Sequence, residues 1–428
     1  MGGEKGLSGF AARFRSYGQR QIPYEMEKVP MNSYRALYWF TSAAAMLLLA
    51  ATASADVIVV HEQTQAAIQT ALNHVHPPGT VIIPAGRYPL DQRDALGRLI
   101  PLRIRSSDIT VQGDGSDQTV LYRDPADDDS GIISMIRSTG FARVRVTGIG
   151  FEGVSILDPD GQETSIGHEI GVYLQDAEDF RVDHCYFTHT GFAGVRTDGQ
   201  SNGVVDHSTF VDNFKLPNLN ASPDGYGVAV YGVDLDDPQY HQPFGSPLAT
   251  FIEDSSFQGC RHAATANKTG RYVFRFNYVG QNVIAHAIDA HGVEYNSHVG
   301  TDWIDVHDNL IENPNGPCNP PGDSASCYAV HIRGGKGLVW NNQFLYYNQG
   351  IELRQDTAAI TGPVYIYDDT LLVNEGTQTR CPASETSPMF CVTGSRGTPT
   401  YELSPPPDYV PFPYPHPLNN DGLGAELR

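Results

Sequence analysis

Positive charge and cysteine are both scarce in this chain of 428 residues. Lysine and arginine together number 28 against 49 aspartates and glutamates, which gives a formal net charge of -21. A surface this acidic argues against bulk binding of nucleic acid or of an anionic membrane, because both carry negative charge. An anionic polysaccharide would be repelled as well, so such a substrate requires a local basic groove. The chain also lacks a phosphate-binding loop and any haem or iron–sulfur motif, which leaves a nucleotide or redox function without support.

The six cysteines include no Cys-x-x-Cys pair, and the histidines show no metal-ligand spacing, so the sequence predicts no metal ligands. Cys318 and Cys327 bracket one Pro- and Gly-rich stretch, and Cys381 and Cys391 bracket another. Brackets of this kind are typical of disulfide-stapled loops outside the cytosol. Cys185 and Cys260 lie next to short apolar runs, and we expect both to be buried.

Long apolar runs are absent except near the N terminus. Residues 31–55 combine one arginine, an apolar core and the ending Ala53-Ser54-Ala55, which predicts a secretory signal peptide cleaved before Asp56. A single membrane anchor is the alternative, since residues 36–55 are nearly long enough to span a bilayer. Residues 1–30 are polar, either as a leader or because translation begins at Met31. We therefore expect a secreted, periplasmic or cell-surface protein that has no membrane association after cleavage.

Short apolar runs recur along the rest of the chain, and each ends in a bulky apolar residue that marks its register. These marker residues are Phe187, Phe210, Phe257, Val279, Ile311 and Phe344, at steps of 23, 47, 22, 32 and 33 residues. Two positions before each marker stands a small residue, in order Cys185, Ser208, Ser255, Asn277, Asn309 and Asn342. A period in the low twenties with insertions is typical of the coils of a parallel β-helix. A β-sandwich, the alternative, has no reason to keep these small residues in phase.

The start of the solenoid carries a more specific pattern. Residues 63–75 place apolar side chains at helical spacing, as a capping helix over an exposed solenoid end would. The text that follows, PPGTVIIPAGRYPL and then ITVQGDG, resembles the opening of right-handed parallel β-helix proteins of the pectate-lyase-like superfamily. The resemblance implies an all-β fold, a single-stranded right-handed parallel β-helix over residues 56–375 with an N-terminal capping helix. Residues 376–428 are predicted to form a Pro-rich C-terminal tail with a Cys381–Cys391 loop.

Strand alternation divides each short run into an inward and an outward set. In the strand 171–175, Val172 and Leu174 point inward, which leaves Tyr173 and Gln175 outward. The matching outward pairs in later coils are Arg196 with Asp198, Ala229 with Tyr231, Thr265 with Asn267, Asp289 with His291, His331 with Arg333, and Glu352 with Arg354. Lys268 and Arg271 follow the Thr265 strand and could reach the same face from its edge. Carboxylates, imidazoles and guanidiniums stacked in adjacent coils suit proton transfer together with anion binding, although an ion-pair ladder on an exposed face would also produce this column.

A local resemblance adds one further residue. The run Asn267-Lys268-Thr269, with Asn277 nine residues after the lysine and then His291-Gly292, is similar to a pattern of the β-helical alginate and chondroitin lyases. The resemblance implies that Lys268 matches the catalytic lysine of those enzymes. The arginine that the family has before His-Gly is Ala290 here, and Arg261, Ala263 and Ala264 stand where acidic calcium ligands are expected. Calcium binding is therefore left open.

Three functions fit these observations. The favoured one is a polysaccharide lyase that cleaves a uronate-containing polymer by β-elimination; a glycoside hydrolase that uses two carboxyl groups and a non-catalytic glycan-binding surface protein are the alternatives. The predicted catalytic residues are Lys268, Asp289, His291, His331 and Arg333, and the predicted substrate-binding residues are Arg196, Asn267, Arg271, Glu352, Arg354 and Tyr231. The expected partner is a polysaccharide and not a nucleic acid, and association into homo-oligomers is left open.

Overall fold

The structure is a computed structural model of the whole chain. It describes residues 55–124, 132–154, 168–214, 224–280, 286–293, 297–313, 328–347, 349–354, 360–373, 389–393 and 399–419. The predicted leader, the signal peptide up to Ser54 and the cysteines Cys318, Cys327 and Cys381 lie outside these residues, so the leader, the signal peptide and the disulfide loops stay predictions.

Among the described residues, the strands form three sheets of successive parallel strands. The first sheet contains β1 (Asp56–Val59), β2 (Gly79–Ile83), β5 (Ile109–Gly113), β8 (Arg145–Thr147), β11 (Phe180–Asp183), β14 (Gly203–Asp206), β17 (Thr250–Glu253), β20 (Arg271–Arg275), β23 (Trp303–His307), β26 (Gly335–Trp340), β29 (Ile360–Tyr367) and β32 (Tyr401–Glu402). The second sheet contains β4 (Leu102–Arg103), β7 (Ile133–Thr139), β10 (Glu169–Gln175), β13 (Ala193–Asp198), β16 (Tyr226–Tyr231), β19 (His262–Asn267), β22 (Ile288–Ala290), β25 (Tyr328–Ile332), β28 (Gln349–Arg354) and β31 (Phe390–Thr393). The third sheet contains β3 (Gly86–Pro89), β6 (Thr119–Tyr122), β9 (Gly150–Glu152), β12 (Tyr186–Thr188), β15 (Thr209–Val211), β18 (Ser256–Gln258), β21 (Tyr278–Val279), β24 (Leu310–Glu312), β27 (Gln343–Tyr347) and β30 (Thr370–Val373).

The order in which the chain visits these sheets defines the fold. It passes from a strand of the second sheet to one of the first, then to one of the third, and returns to the second sheet beside the strand it left. Each circuit therefore adds one strand to every sheet. This is the predicted right-handed parallel β-helix.

The N-terminal end is covered by α1 (Gln65–His74), inside the predicted 63–75. The helix begins where the Thr64 hydroxyl accepts a hydrogen bond from the Ala67 amide, 3.2 Å away. Its buried side includes Ile68, Ala71 and Leu72, which belong to the main apolar core. The helix thus closes the core at this end. Two short 3-10 helices, Pro238–Tyr240 and Pro417–Asn419, complete the described helical structure.

The marker residues confirm the predicted register. Phe187, Phe210 and Phe257 are direct partners in the third sheet, and the pairing continues through Val279 and Ile311 to Phe344. The rings of Phe187 and Phe210 stack with centroids 4.8 Å apart, and those of Phe210 and Phe257 with centroids 4.7 Å apart. One aromatic column therefore fills the centre of successive coils.

The small residues before the markers form a continuous hydrogen-bonded ladder. Each backbone amide donates to the side chain of the next coil: Ser208 to Ser255 at 3.2 Å, Ser255 to Asn277 at 3.0 Å, Asn277 to Asn309 at 2.9 Å and Asn309 to Asn342 at 3.2 Å. The residue preceding each ladder position has a positive φ, between 47° and 55° at His184, His207, Asp254, Phe276, Asp308 and Asn341. The ladder side chains supply partners for backbone amides at this sharp bend, which would otherwise be buried without one.

The C-terminal segment lies along the outer face of the first sheet. The Arg275 guanidinium donates to the carbonyls of Phe412 and Pro413 at 2.5 and 2.7 Å, and Glu253 accepts from the His416 amide at 3.0 Å. Phe412 packs on Phe251, with ring centroids 4.7 Å apart. This face of the solenoid is therefore occupied by the protein's own tail.

Two further expectations concern cysteine and the membrane. Cys185 and Cys260 are buried and carry unoxidised thiols, as predicted for their positions. In the part of the chain that the structure describes, no helix combines the length and apolar character needed to cross a bilayer.

Candidate active site

The predicted column exists on the outer face of the second sheet. Thr265 pairs with Asp289, Asp289 with His331, and His331 with Glu352. In the same strands, alternate residues such as Ala264, Ala266, Ile288 and Ala290 belong to the main apolar core, so the column points to the opposite side. Further along the same row, Arg196 pairs with Tyr173 and with Ala229.

The column is more deeply buried than an exposed sheet face would allow. Thr265 and Asp289 are fully buried, and His291, His331 and Glu352 are at most 6% exposed. Arg333, with 23% of its side chain exposed, is the most accessible member of the central group. The ion-pair ladder on an exposed face, which the sequence also permitted, is therefore not what the structure contains at these coils.

Asp289 is the hub of the cluster. Its Oδ2 atom accepts from Arg333 Nη2 at 2.8 Å and lies 2.6 Å from His291 Nε2. Its Oδ1 atom lies 3.1 Å from His286 Nε2 and 3.5 Å from His331 Nδ1. Arg333 Nη2 also lies 2.6 Å from His291 Nδ1. Nη2 lies 3.2 Å from His291 Nε2 as well. Because arginine can only donate, we assign the acceptor role to Nδ1 at the shorter distance, and Nε2–H then donates to the carboxylate 2.6 Å away.

Two histidines of this cluster were not predicted. His262 and His286 form a second outward column with Tyr226, and the rings of His262 and His286 stack with centroids 4.3 Å apart. His286 meets the predicted column through His331, whose Nδ1 lies 3.3 Å from His286 Nε2. The sequence did contain a signal for this second column. Its members Tyr226, His262 and His286 are each followed directly by a small residue, in order Gly227, Ala263 and Ala287, at the corner of the coil beside the phenylalanine stack.

Burial and charge set the protonation of this group. Desolvation opposes ionisation of Asp289, but the charge of Arg333 and the hydrogen bond from His286 outweigh it and hold the pKa of that carboxyl well below its ordinary value. Burial lowers the pKa of His262 and of His331 well below the ordinary value, and the neighbouring His286 lowers both further. Burial also lowers the pKa of His286, against the pull of Asp289. The cluster therefore presents an ionised carboxylate beside neutral imidazoles, a donor set that can move protons or bind a metal.

His262, His286 and Asp289 each offer one atom that could bind a metal ion, and these three atoms lie within 4.8 Å of one another.

Glu352 extends the cluster by one coil. Its Oε2 lies 3.1 Å from His331 Nε2, an ion-pair distance without hydrogen-bond alignment, and its Oε1 accepts from the Thr393 hydroxyl at 2.5 Å. Arg354, two residues later on the same strand, is exposed.

Arg196 and Tyr231 lie further toward the N terminus on the same face. The Arg196 guanidinium stands 4.7 Å from the ring of Tyr231 and 5.5 Å from that of Tyr173, and its Nε donates to Asp198 at 2.7 Å. Burial raises the pKa of Tyr173 to about 12, so its hydroxyl is protonated. These stacked cationic and aromatic groups form a surface in the coils before the cluster.

The turn after β19 separates three predicted residues. Asn267 ends the strand and its side chain accepts from the Lys268 amide at 2.8 Å. Lys268 and Thr269 have φ of 55° and 58°, and this turn carries the chain into the first sheet. Lys268 Nζ lies 3.9 Å from Asp234. Arg271 opens β20, donates to the Tyr240 carbonyl at 3.0 Å and lies 3.6 Å from Asp302. Arg271 thus belongs to another sheet and does not join the column, contrary to the expectation that it reaches the same face.

Several solved structures are similar to this chain at low sequence identity. The three parallel sheets form the right-handed parallel β-helix that the resemblance to the pectate-lyase-like superfamily implies. Among solved structures, an alginate lyase from Paenibacillus sp. strain FPU-7 is 14% identical with a TM-score of 0.48, covering 81% of this chain and 93% of that one. The A-module of mannuronan C-5 epimerase AlgE4 from Azotobacter vinelandii is 13% identical with a TM-score of 0.39, covering 80% and 96%.

A third similar structure is a mutant tailspike protein of Escherichia coli bacteriophage HK620 in complex with a pentasaccharide. It is 14% identical with a TM-score of 0.44, and the match covers 79% of this chain and 61% of that one. No protein-family model and no curated protein sequence matches the chain.

Proposed function

We propose that the protein is an exported enzyme that cleaves a uronate-containing polysaccharide by β-elimination. The observation that carries the proposal is the cluster in which Asp289, His291 and Arg333, from adjacent coils, are hydrogen-bonded to one another on the outer face of the second sheet. Export rests on the predicted signal peptide at residues 31–55.

Elimination requires a positive group at the uronate carboxylate and a base at the carbon that bears it. Arg333 is the most exposed cation of the cluster and donates in a forked geometry that suits a carboxylate. A substrate carboxylate that took the Arg333 Nη2 hydrogen bond would release His291 Nδ1, which now accepts it. That nitrogen then takes the proton, and Asp289 holds the ring through the opposite nitrogen and stabilises the imidazolium.

After the proton leaves, the electron pair of the broken carbon–hydrogen bond forms the new carbon–carbon double bond, and the bond between the neighbouring carbon and the glycosidic oxygen breaks. The leaving oxygen receives a proton, for which Lys268 is the candidate donor because the lyase resemblance matches it to a catalytic lysine. Lys268 lies in the turn one coil before His291, with 29% of its side chain exposed. Asn267, the last residue of β19, is assigned to substrate binding.

The cationic and aromatic surface of Tyr173, Arg196 and Tyr231 is the proposed binding path for neighbouring sugars. Tyr231 lies two coils from His291 on the same outward row, hence about 10 Å away at the spacing of adjacent strands. The Arg196 guanidinium there would attract a polyanion that the net charge of the chain otherwise repels. Arg354 extends the row on the other side.

Hydrolysis is the second candidate, and the observation that favours it is the presence of Glu352 in the same cluster as Asp289. A hydrolase needs one carboxyl group that stays protonated to serve as the acid. Arg333 and the histidines keep Asp289 ionised, so that role would fall to Glu352. Elimination does not need a protonated carboxyl group, and we therefore favour it.

The test is an activity screen of the purified protein against alginate, pectate, glycosaminoglycans and neutral glycans, with and without added calcium. Ultraviolet absorbance of an unsaturated product indicates elimination, and new reducing ends without that absorbance indicate hydrolysis. His291→Asn should abolish turnover. His207→Asn is the matched control, because His207 also contacts an aspartate, at 2.8 Å, but lies at the bend after a first-sheet strand. The proposal would be contradicted if the His291→Asn variant kept its activity, or if the wild type formed no product from any of these substrates.

A further inference from the structure

Four side chains from three successive coils converge behind the Asp289–Arg333 pair. They are His262 from β19, His286 and Asp289 from the coil of β22, and His331 from β25. All four are at most 6% exposed. A buried site without a ligand rarely contains three imidazoles packed around one carboxylate, because each buried ring nitrogen needs a hydrogen-bond partner.

Three of their polar atoms form a nearly regular triangle. His286 Nε2 lies 3.1 Å from Asp289 Oδ1 and 3.3 Å from His331 Nδ1, and the third side, from His331 Nδ1 to Asp289 Oδ1, is 3.5 Å. In a tetrahedral zinc site the metal lies about 2.0–2.1 Å from each ligand atom, which places the ligand atoms roughly 3.4 Å from one another. The triangle therefore has the size of one face of such a tetrahedron.

His262 adds a donor atom, which lies within 4.8 Å of the donor atoms of His286 and Asp289. Its Nδ1 lies 2.6 Å from the His286 carbonyl, and a carbonyl can only accept, so Nδ1 carries the proton and Nε2 carries the lone pair. That Nε2 atom is fully buried and has no hydrogen-bond partner in the part of the chain that the structure describes. An acceptor left in this state is costly, and a bound cation would remove the cost.

The groups around these four side chains are the ones that orient metal ligands. Ligating histidines usually donate their second nitrogen to a carbonyl or a carboxylate. His262 donates to the His286 carbonyl. The Glu352 carboxylate lies 3.1 Å from the second nitrogen of His331, at ion-pair distance but without hydrogen-bond alignment. The second oxygen of Asp289 is held by Arg333 and His291, which leaves Oδ1 for the ion.

We propose that His262, His286, Asp289 and His331 bind one divalent transition-metal ion of the zinc class. Imidazole-rich donor sets suit zinc, copper, iron or nickel, whereas calcium takes oxygen ligands in larger number. The site does not depend on the proposed lyase activity, since its evidence is the ligand geometry. Its chemical consequence would be a fixed positive charge behind Asp289.

The test uses the untagged full-length protein, stripped of metal with a chelator and titrated with zinc chloride by calorimetry. We expect one equivalent to bind and to raise the unfolding temperature. Cobalt chloride should produce the visible absorption bands of a tetrahedral site. His262→Phe keeps a ring between Tyr226 and His286 but removes the donor, and should weaken zinc binding by at least about tenfold. His74→Phe, in α1, removes an exposed histidine and should bind zinc as the wild type does.

Equal zinc binding by wild type and His262→Phe would overturn the proposal, because the metal would then be held by surface histidines. The absence of tetrahedral cobalt bands in the wild type would overturn it independently, and this measurement stands even if His262→Phe does not fold. Calcium chloride that displaced zinc at equal concentration would also contradict the assigned donor set.

Discussion

Arg333 and Asp289 form a two-point ion pair across adjacent coils, with Nη2 2.8 Å from Oδ2 and Nε 3.4 Å from Oδ1. The carboxylate is fully buried and the guanidinium is partly exposed. The pair therefore joins a buried charge to the surface, and a single substitution on either side changes both the charge of the cluster and the position of His291.

Arg333→Ala should reduce turnover by about a hundredfold or more, since it removes the cation proposed to meet the uronate carboxylate. It should also lower the free energy of unfolding by about 2 kcal/mol, because a buried carboxylate loses its strongest partner. Enzyme kinetics measure the change in turnover, and urea unfolding measures the change in stability.

The double variant Arg333→Ala/Asp289→Asn should lose less stability than the sum of the losses in the two single variants. Full additivity would show that the pair does not couple. Arg354→Ala, on the next coil, is the control and should change stability by less than about 0.5 kcal/mol.

The sequence predicted the register of this site because the strands end in a repeated pattern. Each bend must pass through a left-handed residue and provide a partner for a buried amide, so the ladder residues and the apolar markers recur in phase. The marker Phe257 is aligned with Val279, and in the strands that follow, the apolar residues Ala264 and Ile288 mark the inward side, so alternation places Thr265 beside Asp289.

Asn309 is a ladder residue whose side chain contacts the coils on both sides, and Asn309→Ala should lower the free energy of unfolding by about 2–3 kcal/mol. Its side chain accepts from the Asn277 amide and donates to the carbonyls of Phe274 and His307, both at 2.8 Å. Asn309→Ser should cost less, because serine occupies the same position at Ser255. Chemical denaturation compares them with Gln343→Ala, an exposed position on the next coil. Equal stability of the alanine variant and the wild type would show that the ladder contributes nothing.

Asp369 stands at the C-terminal end of this ladder, where the amide and the side chain of Asn342 donate to its Oδ1 at 2.8 and 2.9 Å. Burial raises the pKa of Asp369 to about 7. The folded protein therefore binds a proton more tightly than the unfolded chain, and the stability from this group, full below about pH 4, is lost as the pH rises through about 7. Asp369→Asn should remove that loss and stabilise the protein by about 1–2 kcal/mol near pH 8, with a smaller gain near pH 5.

Urea unfolding at the two pH values measures the effect. Asp368→Asn is the control, since Asp368 is exposed and its φ of 56° is one that asparagine tolerates. A gain that is the same at both pH values would mean that the Asp369 carboxyl is not protonated near neutral pH.

Phe412 attaches the C-terminal segment to the first sheet, where it packs between Phe251 and His416. Phe412→Ala should lower the free energy of unfolding by about 2 kcal/mol through lost apolar burial. Val410→Ala, at a side chain that is 76% exposed, should have no measurable effect. Thermal and urea unfolding compare the two variants, and equal effects would show that the segment does not hold this face through Phe412.

Other parts of the site could not be read from strand alternation. His262 and His286 lie before a corner, on a second column whose distance from Asp289 depends on how sharply the coil bends. The burial of the cluster and its triangle of donor atoms depend on contacts between successive coils, whose residues are 24 to 45 positions apart in the chain. Arg271 was misplaced because two left-handed residues, Lys268 and Thr269, turn the chain into another sheet.

The products formed from a uronate polymer in heavy-oxygen water test the central claim most directly. Elimination moves a proton and adds no water, so mass spectrometry should show unsaturated chain ends without isotope label, and His291→Asn should form none. Saturated products that carry the heavy oxygen at the newly formed end would contradict elimination and identify the cluster as that of a hydrolase.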